Sequence, residues 1–249
     1  MAKLLVGNWK MNGVKASLYE AGLIAGAAHS AMSHAVQLAI CPPATLLAGL
    51  SEAVSGTGLL TGGQDCHEKV SGAHTGDISA AMIKDAGGHF VIVGHSERRA
   101  DHGETSDLVR AKAQAGLEAG LVPIICVGET RAEREAGQAE AIVLGQVEGS
   151  VPETFQEGGL VIAYEPVWAI GTGLVPSAAD VLAMHHAIYH SLVGRFGNLG
   201  ASVQLLYGGS VNGTNAGELL RLDHVDGALV GGASLTADGF LKILQAIQE

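Results

Sequence analysis

The sequence contains few of the residues that mark secreted or nucleic-acid-binding proteins. Three cysteines occur, Cys41, Cys66 and Cys126, and they form no CxxC pair. An odd number of widely spaced cysteines argues against a disulfide framework and predicts free thiols in a reducing compartment. Fourteen basic residues stand against twenty-five acidic ones, for a net charge of −11. This balance argues against a nucleic-acid partner, because such binding needs a basic face.

Long apolar runs are also missing. No run approaches the roughly 18 residues that a membrane helix needs, and the first residues lack the long apolar stretch of a signal peptide. We therefore expect no membrane association and a cytoplasmic location. The 249 residues are 47% hydrophobic and contain no linker, low-complexity segment or break in composition, so residues 1–249 are predicted to form a single catalytic domain.

What the sequence does contain is an alternation of two kinds of segment. Short apolar runs predict buried strands of a parallel sheet at residues 4–7, 36–40, 59–61, 90–93, 122–127, 160–163, 203–207 and 228–230. Ala-rich segments with helical spacing lie between them, at residues 17–33, 45–55, 79–86, 104–119, 132–148, 177–195, 215–220 and 237–248. Eight strand–helix units without a linker favour a single-domain α/β fold, a (β/α)₈ barrel of eight parallel strands, over an open sheet.

Polar residues and glycines follow the predicted strands, where the active sites of such barrels lie. Gly208-Gly209-Ser210 and Gly231-Gly232 expose backbone N–H groups and suit a phosphate. Glu165, after the sixth strand, could remove a proton, and His95 with Lys10 could hold the negative oxygen that results. Asn8 lies beside Lys10 and either supports it or makes a turn. This chemistry requires no metal and no cofactor.

Five segments, in order along the chain, resemble the triosephosphate isomerase family. They are GNWKMNG at 7–13, VGHSERR at 93–99, AYEPVWAIGTG at 163–173, LYGGSV at 206–211 and VGGASL at 230–235. The resemblance spans the whole chain. It implies interconversion of D-glyceraldehyde 3-phosphate and dihydroxyacetone phosphate through an enediol(ate), in glycolysis and gluconeogenesis, with a small phosphorylated triose as substrate.

The resemblance also implies a role for each matching residue. Glu165 would be the catalytic base, His95 a neutral electrophile, and Lys10 the electrostatic group that faces the phosphate and the enediolate. Residues 166–176 would be a lid that closes over the substrate. The remaining residues fall into a substrate-binding set, Asn8, Gly171, Ser210, Gly231 and Gly232, and a supporting set, Glu97, Ile170 and Leu229.

Plainer interpretations exist for each of these residues. Glu165 could be a strand-end carboxylate in a salt bridge, His95 a structural histidine and Lys10 a solvated lysine. Glu97 could orient Lys10 or make a purely structural ion pair. The chain as a whole could be a different phosphate-binding barrel, such as an aldolase, although no Schiff-base lysine ends the sixth or seventh strand. It could also be a barrel used as a binding module.

Two further segments carry predictions. The loop from Gly72 to Asp77 resembles the family's intersubunit loop, so we expect a homodimer, although His74 replaces a common aromatic residue and Asp77 a common Glu. His186 and His190 are four residues apart on a predicted helix and could face one metal ion. No third ligand is in register with them, so the sequence favours surface histidines.

Overall fold

Eight parallel strands form a closed barrel in which each strand pairs with its neighbours in sequence and β8 pairs with β1. The computed structural model describes residues 2–170 and 176–248. The strands are β1 (Lys3–Asn8), β2 (Val36–Cys41), β3 (Leu60–Gly63), β4 (Phe90–Val93), β5 (Val122–Val127), β6 (Val161–Tyr164), β7 (Gln204–Tyr207) and β8 (Gly227–Val230). The predicted (β/α)₈ barrel is confirmed.

Helices surround the barrel and follow the strands in sequence. Within the described residues they are α1 (Leu18–Ser33), α2 (Ala44–Ala53), α3 (Ala80–Asp85), α4 (Ser96–Asp101), α5 (Ser106–Glu118), α6 (Arg131–Glu135), α7 (Ala139–Ser150), α8 (Ala178–Phe196), α9 (Asn198–Ala201), α10 (Ala216–Leu219) and α11 (Ala237–Gln248). Ser177 caps α8 as its sequence predicts, because its side chain accepts from the Asp180 N–H. Within residues 2–170 and 176–248, no helix is both long enough and apolar enough to cross a membrane.

Two helix predictions need correction. The single helix predicted at residues 132–148 is two helices, α6 and α7, separated at Gly137, whose φ of +71° suits glycine and ends the first helix. Helix α4 is not among the helices that the sequence predicts. This helix is about one and a half turns long and has no buried residue. Its sequence therefore lacks the apolar periodicity from which a helix can be predicted.

The core has two layers. Inside the barrel, alternate strand residues pack together, and they are Leu4, Val6, Ala39, Cys41, Phe90, Ile92, Ile124, Cys126, Val161, Ala163, Leu206 and Leu229. The intervening strand residues face the helices and join a larger apolar cluster with them. Both faces of each strand are buried, which accounts for the nearly continuous apolar runs in the sequence.

Closure brings the carboxyl ends of all strands to one rim. Asn8 ends β1, His95 lies two residues after β4, Glu165 follows β6 directly, and Gly231 follows β8. The opposite rim holds the segments that enter the strands, including residues 220–226 between α10 and β8. Residues far apart in sequence therefore meet at a single site.

Candidate active site

A cavity of about 350 Å³ opens at the carboxyl-end rim. It brings together most of the predicted site residues, namely Asn8, Lys10, His95, Glu165, Ile170, Ser210, Leu229, Gly231 and Gly232. Glu97 does not line the cavity, but its carboxylate accepts a hydrogen bond from Lys10, which does. Gly171 lies outside the described residues. The cavity also has walls that the sequence did not single out, namely Trp9, Asn12, Val211, Ala233 and Leu235.

His95 and Glu165 are buried and in direct contact. The Nδ1 atom of His95 accepts a hydrogen bond from the backbone N–H of Glu97 at 3.3 Å, because His95 caps the start of α4. A neutral imidazole in this position carries its proton on Nε2. That Nε2 lies 2.8 Å from Oε1 of Glu165, whose Oε2 accepts from the backbone N–H of Ser96 at 3.0 Å.

The contact shifts the pKa of both Glu165 and His95. Burial raises the pKa of Glu165, but His95 and the Ser96 N–H outweigh it, so the pKa lies below its usual range. Burial lowers the pKa of His95, but the adjacent Glu165 carboxylate outweighs it, so this pKa lies above its usual range. Each group therefore stabilises the charged form of the other.

Lys10 has a backbone conformation that non-glycine residues rarely adopt, with φ of +52°. Its N–H donates to Oδ1 of Asn8 at 3.0 Å, and its carbonyl accepts from Nε2 of Gln64 at 2.9 Å. Such strain costs on the order of 1–3 kcal/mol and persists where the surroundings fix it. The Lys10 Nζ lies 2.6 Å from Oε1 of Glu97, so Glu97 pairs with Lys10 rather than with an arginine elsewhere.

The glycine turns leave room for specific neighbours. A Cβ at Gly208 would lie 2.8 Å from Cγ of Glu165, so this glycine makes space for the carboxylate side chain. A Cβ at Gly232 would meet no atom within 4 Å, and one at Gly231 would meet only Lys10, at 3.6 Å. The backbone there faces an open space beside a lysine, which suits an anion.

Glu129 anchors the segment that follows Glu165. It is fully buried, and its Oε1 accepts from Nε1 of Trp168 at 2.8 Å, from Oη of Tyr164 at 3.2 Å and from Nη1 of Arg134 at 3.3 Å. The Ser210 hydroxyl donates to the carbonyl of Ala169 at 2.9 Å. The start of the predicted lid is thus attached both to Glu129, in the turn after β5, and to the turn after β7.

The fold and these groups define a class. A buried carboxylate beside an imidazole, a lysine and an open glycine turn, all at the carboxyl-end rim, are the parts of an acid–base enzyme built on a (β/α)₈ barrel.

The relatives of the chain narrow this class. Residues 3–247 match the sequence profile of the family described as triosephosphate isomerase. A triosephosphate isomerase of Afipia carboxidovorans is 56% identical over 243 residues, covering 98% of this chain and 96% of that protein. One of Caulobacter vibrioides is 57% identical over 244 residues, with coverage of 98% and 96%. The crystal structure of the Bartonella henselae enzyme has a TM-score of 0.93 and 46% identity, and covers all of both chains. The chain belongs to the triosephosphate isomerase family.

Proposed function

We propose that this protein interconverts D-glyceraldehyde 3-phosphate and dihydroxyacetone phosphate, in the cytoplasm and as one catalytic domain over residues 1–249. The observation that carries the proposal is the buried contact between Nε2 of His95 and Oε1 of Glu165, at 2.8 Å, in a rim cavity that also contains Lys10. Membership of the isomerase family supports it. The family does not favour an aldolase or a binding module.

In the proposed reaction the triose enters between Glu165 and His95. Its carbonyl oxygen takes the place of the Glu165 carboxylate as acceptor for the Nε2–H of His95. Glu165 removes the proton from the carbon next to the carbonyl, and the enediol(ate) forms. Return of the proton to the neighbouring carbon gives the isomer. Lys10 and the neutral imidazole stabilise the oxygen that becomes negative.

The phosphate group has a separate place in this proposal. Gly231, Gly232 and Ser210 contribute backbone N–H groups, and Gly171 adds another from the lid. Asn8 supports the substrate oxygen and the strained backbone of Lys10, whose N–H it accepts at 3.0 Å. In a chain of net charge −11, Lys10 supplies the local positive potential that attracts a dianion.

Ile170 and Leu229 provide apolar walls for the base. Both line the cavity that contains Glu165, and Leu229 is itself buried. When the lid closes, these side chains exclude water from the carboxylate. Loss of water raises the basicity of Glu165 and protects the enediol(ate) from losing its phosphate.

The first test is the isomerisation of glyceraldehyde 3-phosphate in an assay coupled to a dehydrogenase. Glu165→Gln keeps the size of the side chain but removes the base, so we expect kcat to fall by about 10³-fold. Glu135→Gln changes an exposed carboxylate and serves as the control, with kcat unchanged. No turnover by the folded wild type would contradict the activity. Turnover that survives Glu165→Gln would place the base on another residue.

We also propose a homodimer through the loop from Gly72 to Asp77. Beside Lys10 lies a cavity of about 340 Å³ that could receive this loop from a second copy. Met11, which lines this cavity, is 97% exposed, and Val70, two residues before the loop, is 71% exposed. The departures from the family pattern are accommodated within the chain, because His74 packs on His67 with ring centroids 4.0 Å apart.

A further inference from the structure

Three side chains with metal-binding atoms converge on the outside of the barrel, away from the catalytic rim. His186 comes from α8, while Asp223 and His224 come from residues 220–226, which lead into β8. The Nε2 atoms of His186 and of His224 each lie 3.5 Å from Oδ2 of Asp223. All three atoms lie within 4.8 Å of one another.

These distances fit a shared cation better than direct hydrogen bonds. A distance of 3.5 Å exceeds the usual N–H···O range of about 2.7–3.2 Å, and Nε2 of His186 is buried without a hydrogen-bond partner. Tetrahedral Zn²⁺ has bonds of about 2.0–2.1 Å, which place its ligand atoms about 3.4 Å apart. The side chains of His186 and Asp223 are 40% and 73% exposed, so small rotations can close the remaining gap.

The surroundings hold the ring of His224 in place. Its backbone φ of +57° is strained for a non-glycine residue, and its carbonyl accepts from Nδ1 of His185 at 2.8 Å. The ring of Tyr189 stacks on His224 with centroids 3.8 Å apart at 19°. Such supporting contacts fix the orientation of a ligand.

One competing cation lies nearby. Burial lowers the pKa of Lys3, and the carboxylates of Asp226 and then of Asp223 raise it by less. The ammonium group of Lys3 donates to the carbonyl of Val225. That bond leaves Oδ2 of Asp223 facing the two imidazoles.

We propose that His186, Asp223 and His224 bind one Zn²⁺ ion, with water as the fourth ligand. Two imidazole nitrogens and a carboxylate suit zinc in size and softness. The ion joins α8 to the segment that enters β8, so it stabilises the rim opposite the active site. The partners of His186 are therefore Asp223 and His224, which lie 37 and 38 residues further along the chain, and His190 takes no part.

The other cluster of this kind among residues 2–170 and 176–248 is weaker. It consists of His67, His74 and Asp77. Nδ1 of His67 already accepts from the N–H of Lys69 at 3.0 Å, and its Nε2 lies 3.8 Å from Oδ2 of Asp77. The cluster also lies on the loop proposed for the dimer, where a second copy would cover it.

The test is a zinc titration of the full-length, chelator-treated protein by isothermal calorimetry. We expect a single zinc ion to bind per chain. His186→Ala and Asp223→Asn each remove one ligand and should weaken binding by at least about 100-fold, since loss of supporting residues alone costs 10–100-fold. His190→Ala, on the same face of α8, and His74→Ala, in the other cluster, are the controls and should bind as the wild type does.

Two further readouts keep the test independent of folding. Zinc should raise Tm of the wild type and of His190→Ala but leave Tm of Asp223→Asn, an isosteric change on an exposed side chain, where it was. Co²⁺ in place of zinc should give the strong visible absorption of a tetrahedral site. Absence of stoichiometric binding to the wild type would overturn the proposal. Binding that survives His186→Ala and is lost in His74→Ala would also overturn it, by moving the site to the loop.

Discussion

At the scale of single residues, the main feature of the candidate site is that Glu165 and His95 shift each other's pKa. Glu165 and His95 are both buried, and burial alone would suppress the charge of each. Their contact at 2.8 Å instead favours the ionised carboxylate. In the proposed reaction, a substrate that enters between the two groups would remove this contact, so the Glu165 carboxylate would become more basic and the His95 imidazole would lose the partner that favours its charged form.

Gly208 offers a test of how closely the position of Glu165 is fixed. A Cβ at residue 208 would lie 2.8 Å from Cγ of Glu165, so Gly208→Ala must displace the carboxylate. We expect kcat to fall between about 10-fold and 100-fold, since a misplacement of about 1 Å can cost 100-fold. The coupled assay measures it.

Gly145→Ala is the matched control for this change. Gly145 lies within α7, and an added Cβ there meets no atom within 4 Å. This variant should keep its kcat and gain up to about 1 kcal/mol of stability, because alanine favours a helix. An unchanged kcat in Gly208→Ala would mean that Glu165 tolerates displacement.

The sequence predicted the charged residues of the cavity better than its uncharged ones. Glu165 and His95 follow strands directly and carry reactive groups, so their position and type both indicated a role. Gln64 and Trp9 were missed because they act through geometry. Gln64 holds the backbone carbonyl of Lys10, and Nε1 of Trp9 donates to the carbonyl of Ser234. A partner that lies far away in sequence leaves no local signal.

At the scale of elements, the sequence predicted long helices with a regular apolar stripe better than short ones. Helices such as α1 and α8 were found within about two residues, since each buries a regular stripe. The short helices at the catalytic rim, α4 and α6, bury no side chain, so no apolar pattern predicts α4 or separates α6 from α7. Helix α4 begins directly after His95 and fixes the His95 ring through the Glu97 N–H.

Glu129 tests how the lid's first segment is attached to the barrel. Glu129→Ala removes the acceptor of three donors, from Tyr164, Trp168 and Arg134. We expect the free energy of unfolding to fall by about 2 kcal/mol, because Arg134 keeps a second partner and is partly exposed. Urea denaturation measures the change.

Glu135→Ala is the control for this substitution. It breaks an exposed pair with Arg131 one helical turn away. Solvent screens such exposed pairs, so stability should hardly change. An equally small effect of Glu129→Ala would mean that its buried contacts do not stabilise the fold.

At the scale of the whole molecule, closure of the barrel was inferred rather than derived. Apolar periodicity gives the same strands for an open parallel sheet and for a closed one, and pairing of β8 with β1 joins residues more than 200 positions apart, Leu4 with Gly227. What favoured closure was the number of units and the absence of a linker. Closure also brings Lys10 to the rim where the strands end. A positive group thus lies at the cavity of a protein whose net charge is −11.

The proposed homodimer can be tested by a substitution at Met11. The side chain of Met11 is 97% exposed and lines the cavity beside Lys10, so an apolar residue there needs a partner surface to cover it. Met11→Asp should convert the proposed dimer into monomers in sedimentation velocity, because a buried unpaired charge opposes association. It should also lower kcat, since in the proposed dimer the partner would pack against the segment next to Lys10. Met32→Asp, at an exposed apolar position near the C-terminal end of α1, should leave association and activity as in the wild type. A dimer that persists in Met11→Asp would move the interface away from the loop between Gly72 and Asp77.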